Sequence, residues 1–296
     1  MKIQSNDAWF QILRTMRPKQ WIKNTVVFAA LIFSQKLFQP QAFLLSSLAF
    51  VLFCLVASSV YLFNDVIDKE EDKLHPFKKF RPIPSGSLST TTAITSAVLL
   101  AIFPLGAAVL LDGRFGVILA AYYCVNLAYS RYLKHVVIID VMIIALGFVF
   151  RAIGGAYIIH VEISPWLIVC TTLLALFLSF GKRRHELVTM KENAHGHRPI
   201  LTEYSPYFLD QCMAVITAST VVAYALYTMS DEVIIKLKTD HLNLTIPFVL
   251  YGIFRYLYLV HQKKEGGDPT FMLLTDKPLL INIALWILTA CIILYS

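Results

Sequence analysis

Residues 42–63 read AFLLSSLAFVLFCLVASSVYLF, and residues 64–72 continue as NDVIDKEED. An apolar run of this length can cross a bilayer as one helix, because about 20 residues at about 1.5 Å each cover the hydrocarbon core. The run then changes abruptly into a cluster of carboxylates. This boundary predicts a membrane helix that carries a polar site at the end where the membrane meets water.

Apolar runs of similar length recur along the whole chain of 296 residues, which is 57% hydrophobic and has a mean hydropathy of +0.64. A soluble domain of this size does not have such a composition. We therefore predict an all-α integral membrane protein, with residues 1–296 forming a single polytopic membrane domain. The sequence predicts nine transmembrane helices, at about 21–38, 42–63, 91–112, 115–130, 138–160, 164–180, 211–230, 244–262 and 278–295.

The basic residues predict the orientation of these helices. If the N-terminus lies in the cytoplasm, the outer loops hold only four of the 26 lysines and arginines, namely Lys36, Arg114, Lys236 and Lys238. Cytoplasmic loops of multi-pass proteins are rich in Lys and Arg, so we predict a cytoplasmic N-terminus. The same asymmetry explains the net charge of +7. We therefore expect contact with anionic lipid and no nucleic-acid partner.

Four polar residues of the acidic segment share one face of the predicted helix. At about 100° per residue, Asn64, Asp65, Asp68 and Asp72 fall within an arc of roughly 100°. Carboxylates packed this closely repel one another, and a hard divalent cation would remove the repulsion. These oxygen ligands suit Mg²⁺ that holds a phosphorylated substrate. The alternative is a charged helix end that simply faces water.

Three predicted cytoplasmic loops carry side chains that could bind phosphate. Prolines and a glycine between residues 82 and 86 break the first loop, so its cations can fold back over the metal. Guanidinium and ammonium groups beside a metal-bound pyrophosphate commonly hold polyphosphorylated donors. For any one cation the alternative is a purely topological signal. The residues that we predict to bind substrate in these loops are Lys78, Arg81, Tyr129, Lys134, Lys182, Arg183, Arg184 and Glu186.

Arg151 lies inside the fifth predicted helix, where a charge is costly unless it faces a partner or a wet cavity. Asp140, at the cytoplasmic end of the same helix, is about 16 Å away along the axis, and both side chains point nearly the same way. Gly147 and Gly154 share that face. The pattern indicates a cavity that opens to the cytoplasm. A structural Asp140–Arg151 pair bridged by water is the alternative.

The first predicted helix begins with a polar stretch, since residues 17–24 read RPKQWIKN. Trp21 suits an anchor at the membrane interface. Lys23 and Asn24 start the helix at the depth of the acidic segment. They either anchor the helix or contact a ligand, and the sequence leaves both alternatives open.

The acidic segment, placed after the second of nine helices, resembles the first aspartate-rich motif of the UbiA superfamily of intramembrane prenyltransferases. Members of that superfamily are all-α bundles that use Mg²⁺ to hold a prenyl diphosphate. Their second aspartate-rich motif is missing here, and residues 181–186 read GKRRHE in its place. Together with residues 17–24, 139–151 and 276–279, this pattern resembles the decaprenyl-phosphate phosphoribosyltransferases.

The resemblance implies transfer of 5-phosphoribose from phosphoribosyl pyrophosphate (PRPP) to a polyprenyl phosphate at the cytoplasmic face of the cell's inner membrane. It implies Mg²⁺ on Asn64, Asp65, Asp68 and Asp72, which would hold the pyrophosphate. The cations of residues 182–184 would then bind the other phosphate of PRPP or that of the acceptor. The residues expected to be catalytic are Asp65, Asp68, Asp140 and Arg151.

Two other functions fit part of this pattern. One is a prenyltransferase that joins a prenyl diphosphate to an aromatic acceptor, for which a second acidic motif would be expected. The other is an anion transporter, which inverted repeats and broken helices would favour. The sequence leaves open whether the chain forms homo-oligomers.

Overall fold

The computed structural model describes residues 7–192, 199–263, 267 and 269–295, and at residues 189–192 and 199 the backbone alone. Every regular element in these ranges is a helix. The α-helices are α1 (Ala8–Met16), α2 (Ala29–Phe33), α3 (Pro40–Ile67), α4 (Lys69–Leu74), α5 (Thr90–Leu111), α6 (Gly113–Arg131), α7 (Ile139–Ile158), α8 (Pro165–Glu192), α9 (Pro206–Met229), α10 (Asp231–Leu237), α11 (Ile246–His261), α12 (Pro269–Thr275) and α13 (Lys277–Tyr295). Short 3₁₀ segments cover Pro18–Phe28, Lys78–Phe80, Leu133–His135, Pro199–Glu203 and His241–Thr245.

Seven helices in the described ranges are long and apolar enough to cross a membrane. They are Pro40–Ile67, Thr90–Leu111, Ile139–Ile158, Pro165–Val188, Pro206–Met229, His241–His261 and Lys277–Tyr295. Each matches one predicted span, although the helix predicted at 164–180 extends much further toward its C-terminal end. The all-α membrane architecture is thereby confirmed.

The other two predicted spans, 21–38 and 115–130, are helical but less regular or less apolar. The first forms the 3₁₀ segment Pro18–Phe28 followed by the short α2. Successive β-branched residues at 25–27 lower the α-helical propensity there. The second coincides with α6, whose arginines, tyrosines and asparagine lower its hydropathy. The count of nine therefore stays a prediction.

The core consists mainly of two packed clusters of buried side chains. One joins α3, α6, α7 and the segment before α3 around Phe53 and Phe115. The other joins α8, α9, α11 and α13 around Phe177 and Tyr256. A large cavity lies between the two clusters and takes its walls from both.

Side-chain contacts define two ends of the helix bundle. At one end, Lys134 Nζ after α6 lies 2.5 Å from a carboxylate oxygen of Asp68 at the end of α3. We call this the acidic end. At the opposite end, Gln35 Nε2 donates to the carbonyls of Leu237 (3.1 Å) and Leu294 (3.0 Å). The chain therefore brings loops that are distant in sequence together at each end.

Gly155 of α7 allows the 3₁₀ segment to approach the helix closely. A Cβ at Gly155 would lie 2.1 Å from the carbonyl oxygen of Val27. Because the obstacle is backbone, it cannot move aside as a flexible side chain would. The absence of a side chain at Gly155 thus fixes where the first segment, and with it Asn24, lies against α7.

We expect Gly155→Ala to destabilise the protein, because the backbone of Pro18–Phe28 would have to move away from α7. Overpacking of this kind costs about 1–3 kcal/mol. Thermal unfolding in detergent, followed by tryptophan fluorescence, measures the effect. The matched control is Gly106→Ala in α5, where a Cβ would meet nothing within 4 Å. Equal midpoints for the two variants would contradict the close packing.

Candidate active site

The acidic segment keeps its helical register across the junction between α3 and α4. The backbone N–H of Asp68 donates to the carbonyl of Asn64 (2.9 Å), and that of Asp72 donates to the carbonyl of Asp68 (2.8 Å). The carboxylates therefore follow one another on one side of the chain. Asp65, Asp68 and Asp72 are buried, at 1%, 8% and 2% exposure. We call Asn64 and these three residues the acidic cluster.

Cations from three separate segments surround the acidic cluster. Arg81 Nη1 lies 3.1 Å from Asp65 and 2.6 Å from Asp72. Lys134 Nζ lies 2.5 Å from Asp68. Buried carboxylates need such partners, because an unpaired charge loses far more solvation than it gains. We call these cations the cation ring, and its members are Arg17, Lys78, Arg81 and Lys134.

The acidic cluster has the donor atoms that Mg²⁺ prefers, namely carboxylate and amide oxygens on successive helical turns across the α3–α4 junction. Within the described residues, however, no three His, Cys, Asp or Glu side chains converge closely enough to form a ready metal site. Instead the cation ring satisfies the carboxylates, and Asn64 Nδ2 donates to Asp68 (2.9 Å). The ligand atoms of the acidic cluster thus suit Mg²⁺, and in this structure its carboxylates form ion pairs with the cation ring.

The cavity between the two core clusters has a volume of about 1190 Å³ and runs from the acidic end toward the opposite end of the bundle. Its lining is mostly apolar. At the acidic end it is bordered by Asn64, Tyr129 and Lys182. Such a cavity can hold a long apolar ligand whose polar head faces the acidic cluster.

Arg151 lies in the wall of this cavity and is 6% exposed. Its Nε donates to Asn24 Oδ1 (2.6 Å), its Nη1 to the carbonyl of Gly147 (2.6 Å) and its Nη2 to the hydroxyl of Tyr122 (2.9 Å). Within the described residues, Arg151 and Asp140 form no direct ion pair.

Asp140 instead pairs with Arg183, and both are almost fully buried, at 0% and 1% exposure. Arg183 Nε donates to Asp140 (2.6 Å), and Nη1 donates to Glu186 (2.6 Å). Nη2 donates to the hydroxyl of Tyr129 (3.2 Å). Because α8 continues well past the predicted span, Arg183 reaches the start of α7 and replaces Arg151 as the partner of Asp140.

Tyr204 completes this network from the chain after α8. Its hydroxyl donates to Asp140 (2.7 Å) and accepts from the backbone N–H of Ile138 (2.6 Å). Ile138 has φ 69°, a conformation that strains a β-branched residue. Burial raises the pKa of the Tyr204 hydroxyl, so it stays protonated and keeps donating to Asp140. The network therefore holds a strained turn at the start of α7.

Comparison with known proteins identifies the family to which the chain belongs. The UbiA prenyltransferase family model matches residues 24–275. The chain belongs to the UbiA prenyltransferase family. It is 33% identical to the decaprenyl-phosphate phosphoribosyltransferase of Mycolicibacterium smegmatis over 93% of this chain and 90% of that protein. It is 31% identical to the enzyme of the same name from Corynebacterium glutamicum over 96% of this chain and 86% of that protein.

Among solved structures, the fold is similar to that of a UbiA homolog from Archaeoglobus fulgidus bound to GPP and Mg²⁺, with a TM-score of 0.70. That likeness covers 97% of this chain and 100% of the other at 18% identity, and it supports the fold alone. The family resemblance predicted from the aspartate-rich motif is thus confirmed. With its apolar helices, this member of the UbiA family is a multi-pass membrane protein.

The structure places the predicted site residues in different surroundings. Those that line the cavity are Lys23, Asn64, Tyr129, Arg151, Lys182 and Arg183. Asp140 lies buried behind Arg183 rather than at the cavity mouth. Arg184 turns toward Asp210, with its Nε 2.5 Å from the carboxylate. Adjacent residues of a helix differ by about 100° in direction, so Arg183 and Arg184 cannot both face inward.

Three residues of the site were not among those predicted from the sequence. Arg17 pairs with Asp65 and lies over the ring of Tyr61. Its position in the polar stretch 17–24 could have indicated a role. Tyr122 lies two helical turns before Tyr129, so both share one face of α6, and this spacing was a usable signal. Tyr204 follows no recognisable pattern, since only the tertiary fold brings it to Asp140.

We expect Tyr204→Phe to lower the free energy of unfolding by about 1–3 kcal/mol, because Ile138 N–H and Asp140 would each lose a buried partner. Thermal unfolding in detergent measures the change. Tyr207→Phe is the control, since Tyr207 is 74% exposed and its hydroxyl should contribute little. Indistinguishable midpoints for the two variants would show that the Tyr204 hydroxyl does not hold the turn.

Proposed function

We propose that this protein transfers 5-phosphoribose from PRPP to a polyprenyl phosphate and releases pyrophosphate. The main observation in support is that the acidic cluster, enclosed by the cation ring, lies at the polar end of a large apolar cavity. The charged groups suit a polyanionic substrate that is bound through a metal and cations, and the apolar cavity suits a lipid substrate. The named relatives at 31–33% identity, matched along nearly the whole chain, support this assignment.

The charge balance of the acidic end suits a metal–pyrophosphate complex. The cation ring has four positive charges and the acidic cluster has three negative ones, so together they have one positive charge in excess. A divalent cation would raise that excess further, which a pyrophosphate group would neutralise. Binding would therefore exchange partners: the carboxylates would turn from the cations to the metal, and the cations to the phosphate oxygens.

In this proposal Asn64, Asp65, Asp68 and Asp72 would hold Mg²⁺, which when bound neutralises charge on the leaving pyrophosphate. Arg81 presents a planar guanidinium that can bind two phosphate oxygens at once. The other members of the cation ring would hold the remaining oxygens. These residues fix the leaving group on one side of the ribose.

The reaction forms a bond between a phosphate oxygen of the lipid and C1 of the ribose while the bond from C1 to pyrophosphate breaks. The phosphate monoester is already anionic at neutral pH, so no strong general base is needed. The contribution of the chain is then positioning and charge stabilisation. Lys182 and Tyr129 line the acidic end of the cavity, and in this proposal they would contact the 5-phosphate of the donor.

Arg183, predicted from the sequence to bind phosphate, takes a different part in this proposal. Three of its nitrogens already donate to Asp140, Glu186 and Tyr129. We assign it a positioning role, in which it orients the Tyr129 hydroxyl and fixes the end of α8 against the start of α7.

The proposed setting is the cell's inner membrane, with the N-terminus and the acidic end in the cytoplasm. The bias of basic residues toward this end supports the orientation. PRPP is a water-soluble, charged metabolite, and a site at the cytoplasmic interface would reach it directly. The lipid would enter the cavity from the bilayer.

A second candidate is a prenyltransferase that uses a prenyl diphosphate, because the solved A. fulgidus homolog holds GPP and Mg²⁺. The sequence at residues 181–186 argues against it, since cations stand where a second acidic motif is expected.

Purified protein incubated with labelled PRPP, Mg²⁺ and a polyprenyl phosphate should yield labelled lipid. A parallel reaction with labelled geranyl diphosphate and an aromatic acceptor should give no product. Prenylation without phosphoribosyl transfer would overturn the proposal in favour of the second candidate, and uptake of label into vesicles without chemistry would favour a transporter.

We expect Asp68→Asn to lower the rate of Mg²⁺-dependent transfer by about 100-fold or more, because the metal would lose a charged ligand. The variant should remain folded in detergent. Glu71→Gln is the matched control, since Glu71 is an exposed carboxylate of the same segment. Chelation of the metal should abolish wild-type activity and have little further effect on Asp68→Asn. Wild-type turnover by that variant would refute the metal assignment.

A further inference from the structure

Arg151 carries a positive charge inside the membrane-spanning part of the protein without a carboxylate to balance it. Its hydrogen-bond acceptors are the amide oxygen of Asn24, the carbonyl of Gly147 and the hydroxyl of Tyr122, all neutral groups. Within the described chain, no Asp or Glu forms an ion pair with it. The guanidinium lies in the cavity wall, so an anion in the cavity could reach it.

The surroundings of Arg151 reduce the cost of this charge but do not cancel it. The guanidinium carbon lies 4.7 Å from the ring centre of Tyr122 and 5.3 Å from that of Phe148. Such cation–π contacts and neutral hydrogen bonds stabilise a cation by amounts smaller than the cost of placing it among apolar side chains. The remaining imbalance indicates that an anionic ligand completes the site.

The free hydrogens of the guanidinium indicate which kind of anion fits. A guanidinium has five N–H groups. One bond from each nitrogen is in use, so Nη1 and Nη2 each keep one further hydrogen. Two such donors in one plane match two oxygens of a phosphate monoester. Asn24 and Tyr122, at 1% and 3% exposure, hold the plane of the guanidinium in place.

The depth of Arg151 distinguishes between the two phosphate monoesters of the reaction. The guanidinium reaches back to Gly147, which is seven residues, or about 10 Å, along α7 from Asp140. It therefore lies below the acidic end, at the boundary between that end and a cavity lined mostly by apolar side chains such as Leu178 and Ile253. A lipid whose tail fills the apolar part would place its phosphate at this boundary.

We propose that Arg151, oriented by Asn24 and Tyr122, forms the binding site for the phosphate of the lipid acceptor. The proposal rests on the phosphoribosyl transfer proposed above. It separates the two substrates by depth: the pyrophosphate of the donor binds at the acidic cluster, and the acceptor phosphate approaches the ribose from the membrane side. The 5-phosphate of PRPP has the same chemistry, so the test must distinguish the two sources.

The test combines binding with kinetics on the full-length protein in detergent. Polyprenyl phosphate alone, without PRPP or metal, should raise the thermal midpoint of the wild type, whereas the uncharged polyprenol should not. In Arg151→Gln, polyprenyl phosphate should raise the thermal midpoint no more than polyprenol does. The apparent KM of this variant for the lipid should rise at least about tenfold. Its apparent KM for PRPP should stay within about twofold of the wild-type value.

Two further variants keep the test decisive. Arg151→Lys retains a charge without the planar pair of donors, so it should bind the lipid phosphate more weakly than the wild type and better than Arg151→Gln. Lys36→Gln removes a cation from the opposite end of the same cavity and should leave discrimination between phosphate and alcohol unchanged. If Arg151→Gln does not fold, the test is the comparison of lipid-phosphate binding by Arg151→Lys with that by the wild type.

An unchanged KM of Arg151→Gln for the lipid would overturn the assignment. A rise in its KM for PRPP alone would also overturn it, and would indicate that Arg151 binds the 5-phosphate of the donor. Transfer by the wild type with no change at Arg151→Gln refutes this site and leaves the proposed function intact. Arg151-dependent lipid binding without any transfer refutes the proposed function instead.

Discussion

The compensation of three buried carboxylates at the end of α3 is the interaction on which the acidic end depends. Asp65, Asp68 and Asp72 lie where solvent cannot stabilise their charges, so each must be met by a cation. The cations come from segments far apart in sequence, including Arg17 directly after α1 and Lys134 after α6. Satisfying these charges therefore ties the loops together at the acidic end, beside the part of the cavity that Arg17 and Asn64 line.

The two buried arginines of the interior illustrate two uses of the same side chain. Arg183 has two carboxylate partners and one hydroxyl partner, so its charge is balanced and its geometry is fixed by the protein alone. Arg151 has only neutral partners and faces the cavity. A balanced charge stabilises structure, whereas an unbalanced one marks a place where a ligand supplies the missing charge.

The sequence predicts what depends on local patterns, and it misses what depends on packing between distant segments. Hydropathy located the seven apolar helices, and the helical period placed the acidic residues on one side. The partner of Asp140 could not be predicted, because it depends on α8 continuing past its apolar part until Arg183 meets α7. The close approach of Val27 to Gly155 likewise depends on packing between distant segments, and no sequence pattern reveals it.

A cryo-EM map of the protein with PRPP and Mg²⁺ bound would show whether the acidic cluster holds the metal and the donor pyrophosphate. We expect density for a metal against the carboxylates of the acidic cluster, with Arg81 and Lys134 moved from those carboxylates onto phosphate oxygens. Donor density elsewhere, with the carboxylates still paired to the cation ring, would show that the acidic cluster does not bind the metal–pyrophosphate complex.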